Sequence, residues 1–415
     1  MKNFIKKIEK RELKISILGM GYIGLPTAII FAKTGFTVYG FDVNKNVINT
    51  LKSGHIHIVE PDLQEAFKKV LDDNKLIPIE KLEKSDVFII SVPTPFKKEF
   101  NEKIADLTYV ENATKEIAEV LEKGNLVILE STVPPKTTKL VVDILLKETN
   151  LFKDDFMVAH CPERVLPGRI LYELENNDRI IGAEDKNTRE YTKLIYETFV
   201  KGGKCYTTDD ITAEMCKLVE NTFRDVNIAF ANELSIICDK LGINVFELIK
   251  LANKHPRVNI LTPGAGVGGH CLAVDPWFIV EKFPKEANVI RESREINDFK
   301  PEYIANKVDG ILNYNKGMTI GVLGLAYKPD IDDLRESPAV EIAKILKNKG
   351  YNVIACEPNV KKEEVDGIVL YSLDKTIEKS DYLILAQGHK DFKENINKLK
   401  EKNIYDCLGL LKWKK

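Results

Sequence analysis

The run Gly266-Val267-Gly268-Gly269-His270-Cys271-Leu272-Ala273-Val274-Asp275-Pro276 sets a thiol inside a glycine-rich loop, with a carboxylate four residues on. Glycine removes side-chain bulk and reaches backbone angles that other residues avoid, so a substrate can come very close to Cys271. A second pattern, Gly19-Met20-Gly21-Tyr22-Ile23-Gly24, lies near the N-terminus, with Asp42 further on. That spacing suits the pyrophosphate of a nicotinamide dinucleotide. A thiol and a hydride acceptor together can oxidise an aldehyde through a thioester, which neither could do alone.

The glycine pattern carries weight only with the right elements around it. Residues 14–18 read as a short buried strand, the residues after the glycines through Lys33 as a helix, and residues 37–41 as a strand ended by Asp42. In that setting the first glycine makes the tight turn and the second lets the pyrophosphate approach the backbone. The third allows close helix–strand packing, and the helix N-terminus attracts phosphate. Gly19, Gly21, Tyr22, Ile23, Gly24 and Asp42 are thus the candidate cofactor residues. Asp42 would accept from a ribose hydroxyl and repel a 2′-phosphate, which favours NAD over NADP, although Lys45 lies close by. Further strands at 87–92 and 126–130 run into polar loops at 93–95 and 131–135. Loops at the carboxyl edge of a parallel sheet are where ligands bind, so Thr94 and Thr132 are candidate cofactor neighbours. Their alternative is an ordinary cap or turn.

The C-terminal part echoes this plan. Ile17-Leu18-Gly19-Met20-Gly21-Tyr22 parallels Val322-Leu323-Gly324-Leu325-Ala326-Tyr327, and Gly35-Phe36-Thr37-Val38 with Asp42 parallels Gly350-Tyr351-Asn352-Val353 with Glu357. Residues 83–90 parallel 378–385 in the same order. Two doubly wound halves are expected. Ala326 and Pro329 stand where Gly21 and Gly24 would be, so the second copy cannot cradle a dinucleotide in the same way. It offers Tyr327-Lys328-Pro329 instead, and a lysine there can meet a phosphate as a point charge. A nucleotide diphosphate is the expected ligand, and a degenerate structural domain the alternative.

Between the halves, residues 210–241 contain no Gly or Pro, which predicts a helix of about 30 residues. Such a length suits a helix that spans domains or forms a subunit contact. Lys217, Asn221 and Arg224 fall on one stripe of it, which periodicity alone reads as a solvated face. Cys216 and Cys238 sit among apolar positions and read as core. His255-Pro256-Arg257 follows in a loop that could bind phosphate or sugar hydroxyls, or simply lie at the surface.

Composition excludes several classes. At about 150 residues per domain, 415 residues make two or three domains. Charged residues are 30% with a net charge of −2, which argues against nucleic acid or an anionic membrane as partner. No apolar run approaches the roughly 20 residues of a membrane span. The N-terminal lysines precede no apolar segment, so no secretory signal is expected. Seven cysteines form neither a CxxC pair nor a metal-type spacing. Reduced thiols, a cytoplasmic location and no metal site are expected.

Together these residues resemble the UDP-glucose/GDP-mannose dehydrogenase family across nearly the whole chain. The resemblance rests on residues 19–24, on Ile56-His57-Ile58-Val59-Glu60-Pro61-Asp62-Leu63 and on Cys161-Pro162-Glu163-Arg164-Val165-Leu166-Pro167-Gly168. It also rests on residues 217–233, 255–260, the cysteine loop, Tyr327-Lys328-Pro329 and Arg335-Glu336-Ser337-Pro338. It implies NAD-dependent four-electron oxidation of a sugar C6 alcohol to a carboxylate, with two NAD and one water per turnover. By that resemblance Lys217 is the general acid/base partner and shares the developing oxyanion with Asn221. Cys271 would form a thiohemiacetal and then a thioester. Asp275 would position or activate water, with Glu163 and Thr132 helping hydrolysis. Arg164, Val165, Lys217, Asn221, Arg224, His255, Arg257, Gly268, Tyr327 and Lys328 match substrate-binding positions, and Arg335 a cofactor contact.

The physical logic agrees with those roles. A cation at Lys217 and loop amides would lower the pKa of the Cys271 thiol, and a cation with an amide would stabilise an alkoxide as it forms. The glucose-type pattern has lysine where Val274 stands, and an aromatic and an aliphatic residue where Arg164-Val165 stand. Both departures favour an N-acetylhexosamine without fixing its stereochemistry at C2, and it is the resemblance that makes UDP-N-acetyl-D-mannosamine the expected substrate. The same chemistry on UDP-glucose, UDP-N-acetylglucosamine or UDP-N-acetylgalactosamine is the alternative. A non-catalytic NAD- and nucleotide-sugar-binding protein is the remote one.

The expected architecture is α/β, with two Rossmann-like doubly wound domains joined by a long central helix and a helical middle region. Residues 1–205 would bind NAD, residues 206–300 would hold the central helix, the catalytic cysteine loop and a dimerisation surface, and residues 301–415 would bind the UDP-sugar. A homodimer or higher homo-oligomer is expected.

Overall fold

The computed structural model describes residues 2–97, 103–165 and 168–411, so Leu166 and Pro167 of the motif above lie outside the described residues. The chain divides into two compact units, Met1–Val219 and Glu220–Lys415.

In the first unit the short apolar runs become an eight-stranded sheet. Its strands are β1 (Lys14–Leu18), β2 (Thr37–Phe41), β3 (Leu76–Ile79), β4 (Val87–Ile90), β5 (Leu126–Leu129), β6 (Met157–His160), β7 (Arg179–Gly182) and β8 (Cys205–Thr208). Their order is β3-β2-β1-β4-β5-β6-β7-β8, parallel throughout except for the β6–β7 pair. That order from β3 to β6 is the doubly wound arrangement, with its switch point between β1 and β4. Val87, Phe88, Ile89 and Ile90 are all buried, as strands covered on both faces must be. The strands β4 and β5 stop at Ile90 and Leu129, short of the expected ends at Val92 and Glu130. The helix Gly24–Lys33 buries every residue from Gly24 to Ala32. Phe31 packs on Phe36, Tyr196 and Phe199.

The second unit carries the echo. Its strands are β9 (Thr319–Leu323), β10 (Asn352–Cys356), β11 (Glu364–Val365), β12 (Ile368–Leu370), β13 (Tyr382–Leu385) and β14 (Ile404–Asp406). The order β11-β12-β10-β9-β13-β14 places β10-β9-β13-β14 as β2-β1-β4-β5 stand in the first sheet. Equivalent positions pair alike: Ile17 opposes Gly40, and Val322 opposes Ala355. An antiparallel β11–β12 pair finishes the edge.

The central helix runs Asp210–Leu241, and the boundary between the units falls inside it. Within the second unit it buries polar side chains: Asn221, Asp225, Asn232 and Ser235 are all buried. At about 100° per residue these four lie within about 40° of one line. Phe223, Phe230 and Ile237, seven residues apart, project from the opposite face at 67%, 49% and 46% exposure. Over this stretch the helix thus buries polar side chains beside small apolar ones such as Ala231 and Cys238, and exposes its large apolar ones. No helix among the described residues is long and apolar enough to cross a membrane.

Candidate active site

The first unit holds a phosphate cradle. The chain leaves β1 through Gly19, whose φ of +93° is the left-handed region and whose N–H donates to the Phe41 carbonyl at 2.9 Å. A Cβ on Gly19 would come within 2.5 Å of the Ser91 carbonyl oxygen, and one on Gly24 would overlap the Gly19 carbonyl oxygen. Only glycine fits at either place. Gly21 differs, since a Cβ there would meet nothing within 4 Å. The turn is thus closed by Gly19 and Gly24 and open at Gly21, where the backbone leads into the helix Gly24–Lys33. Tyr22 and Ile23, which complete this lead-in, are half-buried. At the end of β2, Asp42 accepts from the Met20 N–H at 2.9 Å and the Asn44 N–H at 2.8 Å, one on each oxygen. Each oxygen keeps acceptor capacity for a ribose hydroxyl. These residues fit NAD.

The echo shows what the absence of that fit looks like. Glu357 stands at the position of Asp42, but its carboxylate is buried and filled. It accepts from the Leu325 and Ala326 N–H groups at 2.7 and 2.8 Å, from Asn359 N–H at 3.1 Å, and lies 3.0 Å from His389 Nε2. Burial would push its pKa up, yet these partners hold it below the usual range.

Thr94 and Thr132 are brought together, Thr94 Oγ1 donating to the Thr132 carbonyl at 2.7 Å. Below them sits a group that motif reading passed over. Glu130, fully buried at the end of β5, accepts from Ser91 Oγ at 2.6 Å, Thr27 Oγ1 at 3.2 Å and Tyr196 OH at 3.2 Å. Buried Arg179 lies 3.8 Å from Glu130 and 2.9 Å from Glu163. Burial and the Glu163 charge push Glu130 up to about 7. Glu163 also accepts from the Arg164 N–H at 2.7 Å, and Arg164 donates to the Asp178 carbonyl at 2.9 Å. Val165 is half-buried beside it. Glu60 of the 56–63 motif ties this loop down by accepting from Gly168 and Ile170 N–H groups. No chemistry in the residue types announces Glu130 or Arg179, and only their burial does.

In the second unit the glycine loop meets two structures. At its far end Asn221 Nδ2 donates to Asp275 Oδ2 at 2.5 Å, and the Asp275 N–H donates to the Cys271 carbonyl at 2.8 Å. Asp275 is buried and opens the helix Asp275–Lys282. Cys271 is half-buried. At the near end the loop lies against the Tyr327 segment. A Cβ on Gly268 would come within 2.5 Å of the Glu336 carbonyl, and one on Gly269 within 2.7 Å of the Tyr327 ring. The Gly269 N–H donates to the Arg335 carbonyl at 3.0 Å. Gly268, Tyr327 and Arg335 therefore form one cluster, with Lys328 half-buried next to it. The Arg335 guanidinium is engaged by Asp333, at 2.6 and 2.9 Å, on a side chain that is 53% exposed. His255 and Arg257 make an exposed turn of their own, in which the Arg257 N–H donates to His255 Nδ1 at 3.3 Å. Arg224 is exposed on the central helix, and Lys217, one turn before Asn221, is half-buried.

Three models of the UDP-glucose/GDP-mannose dehydrogenase family match the chain in order. They are the NAD binding domain over residues 13–200, the central domain over 211–299 and the UDP binding domain over 321–412. The chain is 49% identical over 395 residues to a UDP-N-acetyl-D-mannosamine dehydrogenase of Campylobacter jejuni, covering 92% of this chain and 96% of the other. It is 45% identical over 408 residues to an NDP-N-acetyl-D-galactosaminuronic acid dehydrogenase of Ralstonia nicotianae, covering 95% and 96%. The structure resembles that of a UDP-D-ManNAc dehydrogenase from Pyrococcus horikoshii with a TM-score of 0.89 and 41% identity, covering 97% of both chains.

Proposed function

The chain belongs to the UDP-glucose/GDP-mannose dehydrogenase family, and on that premise we propose that it oxidises the C6 alcohol of UDP-N-acetyl-D-mannosamine to UDP-N-acetyl-D-mannosaminuronate. The balance is one alcohol, two NAD⁺ and one water giving one carboxylate, two NADH and three protons. The observation that carries the proposal is the Asn221 amide bonded to the Asp275 carboxylate, with the Asp275 N–H bonded to the backbone carbonyl of Cys271, so that the residue bearing the thiol stands one turn from that pair.

NAD, when bound at Gly19, Gly21, Tyr22, Ile23, Gly24 and Asp42, supplies a hydride acceptor for each of the two oxidations. The chain's own residues do the rest. Lys217 exchanges the C6 hydroxyl proton. Asn221 Nδ2 uses one hydrogen on Asp275 and offers the other to the alkoxide. The Cys271 thiolate adds to the aldehyde carbonyl carbon, and the carbonyl oxygen takes up the proton that makes the thiohemiacetal. After the second oxidation the sulfur is held as a thioester. Asp275 directs water onto it, Glu163 and Thr132 assist, and the thiol leaves with a proton. Arg164, Val165, Arg224, His255, Arg257, Gly268, Tyr327 and Lys328 hold the UDP-sugar, and Arg335 contacts the cofactor.

The choice of sugar is supported by Val274, by Arg164-Val165, and by the substrate in the names of the Campylobacter and Pyrococcus relatives. The Ralstonia relative's name favours a galactosamine-type sugar as the second reading. The functional division is residues 1–205 for NAD, 206–300 for chemistry and assembly, and 301–415 for the UDP-sugar. The apolar outer face of the central helix supports a homo-oligomer, and a nucleophilic thiol that needs NAD suits the reducing cytoplasm. The test is to supply UDP-N-acetylmannosamine, UDP-N-acetylgalactosamine, UDP-N-acetylglucosamine and UDP-glucose in turn, following NADH and product mass. Two NADH per uronate from UDP-N-acetylmannosamine is the expected result. Turnover of UDP-glucose alone would overturn the sugar assignment.

A further inference from the structure

The loop that carries Cys271 is held to the central helix at both ends. At the far end the tie is Asn221 to Asp275. At the near end Asn232 Oδ1 accepts from the Gly264 N–H at 2.9 Å. Asn221 and Asn232 are eleven residues apart, about three turns, so they lie on the same line of the helix roughly 16 Å from one another. The intervening loop, residues 264–275, runs from one tie to the other.

Asn232 is not a chance neighbour of the loop, because its own orientation is locked. Asn232 Nδ2 donates to Asn297 Oδ1 at 2.9 Å. Asn297 sits on the helix Asn288–Ile311, and its Nδ2 donates to the Asp225 carboxylate at 2.8 Å and carbonyl at 3.1 Å. Asp225 in turn accepts from the Arg294 guanidinium at 2.5 Å. All four side chains are buried, at 1% exposure or less. Among the described residues Asp225 Oδ2 and Arg294 Nε have no partner, but turning either amide over would set the Asn232 amide N–H against the Gly264 N–H or the Asn297 oxygen against the Asp225 carboxylate, so the two amides have one favoured orientation. The loop also passes tightly over Asn297. Gly266 has φ of +136°, and a Cβ there would lie 3.0 Å from the Asn297 carbonyl oxygen.

We infer that Asn232 is a positioning residue for Cys271: it relays the Arg294–Asp225–Asn297 register through Gly264 to the loop that presents the thiol. It touches neither cofactor nor substrate. The inference rests on the proposed role of Cys271, and its test is chosen to fail separately from that role.

The experiment uses the full chain with Asn232→Ala and Asn232→Asp. A protonated aspartic acid has one donor and one acceptor arranged much as the amide has, whereas its anion cannot donate to Asn297. For Asn232→Ala, which loses the bonds to both Gly264 and Asn297, oxidation of the UDP-sugar aldehyde to acid is expected to slow about tenfold, in keeping with loss of the one bond that reaches the loop. NAD affinity should stay within about twofold. For Asn232→Asp, the rate relative to the parent should be near parental at low pH and fall as the new carboxyl ionises. Labelling of Cys271 by iodoacetamide, read by peptide mass, should change at least about threefold in Asn232→Ala. That readout follows the loop whether or not Cys271 is the nucleophile. If Asn232→Ala fails to fold, the pH profile of Asn232→Asp decides. Parental labelling in Asn232→Ala, or a relative rate for Asn232→Asp that does not change with pH, would overturn the inference.

Discussion

Replacing Gly21 by alanine, beside the same change at Gly24, separates the two demands that a phosphate-binding turn makes on glycine. A Cβ on Gly21 meets nothing within 4 Å, and its φ lies outside the left-handed region. The folded chain therefore accommodates the methyl without strain, and the melting temperature should stay within about 2 °C of the parent, the usual range for a surface change in a unit of this size. On the proposed reading of the turn, the methyl fills the space into which the pyrophosphate settles. Pushing a phosphate away from a backbone N–H sacrifices a hydrogen bond to a charged group, worth roughly 1.5–3 kcal/mol. At 1.4 kcal/mol per tenfold, NAD should bind roughly tenfold to a hundredfold more weakly.

Gly24→Ala should behave in the opposite way. Its Cβ would overlap the Gly19 carbonyl oxygen and lie 3.2 Å from Ser91 Cβ, both inside the core of the turn. Overpacking of this kind costs about 3 kcal/mol or more, which lowers the melting temperature by roughly 6–12 °C. Calorimetric titration with NAD and thermal melts of both variants make the comparison. Parental NAD affinity in Gly21→Ala, or a melting temperature as low as that of Gly24→Ala, would refute the assignment of open space at Gly21 to the cofactor.

Three further outcomes are expected. Cys271→Ala should lose acid formation by roughly a thousandfold or more while NAD affinity stays within about twofold, and parental acid formation would rule out the covalent route. Glu130 is raised from 4.5 to about 7, so its ionisation destabilises the fold, with the penalty absent below about pH 4.5 and complete above about pH 7. Glu130→Gln keeps an acceptor for Ser91 and removes that ionisation. Its melting temperature minus that of the parent should therefore rise between pH 5 and pH 8, and a constant difference would count against the buried charge. Phe230→Glu places a carboxylate on the apolar outer face of the central helix. If the proposed homo-oligomer is built on this face, sedimentation should shift towards the monomer, and an unchanged distribution would remove the face from that proposal.

The parts that were legible in the sequence are those where geometry leaves one residue type. Gly19 and Gly24 are required by close approach, Asp42 by its place at a strand end, and the central helix by a run without Gly or Pro. The buried Glu130–Arg179–Glu163 group was not legible, because its members are up to 49 residues apart and only the sheet brings them together. The central helix is the more instructive case. The stripe Lys217, Asn221, Arg224 reads as a solvated face, since a helix usually turns its apolar side to the core. Periodicity fixes how side chains group around a helix but not which group faces inward. Here Asn221, Asp225, Asn232 and Ser235 turn inward because Asp275, Arg294, Asn297 and Lys300 supply partners there. Without those partners, burying so many amides and a carboxylate would cost several kcal/mol. A sequence sign of the inversion exists on the other face. Phe223, Phe230 and Ile237 recur every seven residues, the spacing of a seam that packs against another helix. When one helix carries both a polar stripe and an opposite heptad of large apolar residues, either face can be the buried one. The polar face then merits the same scrutiny as a core, and on this chain that face is where Asn221 and Asn232 are found.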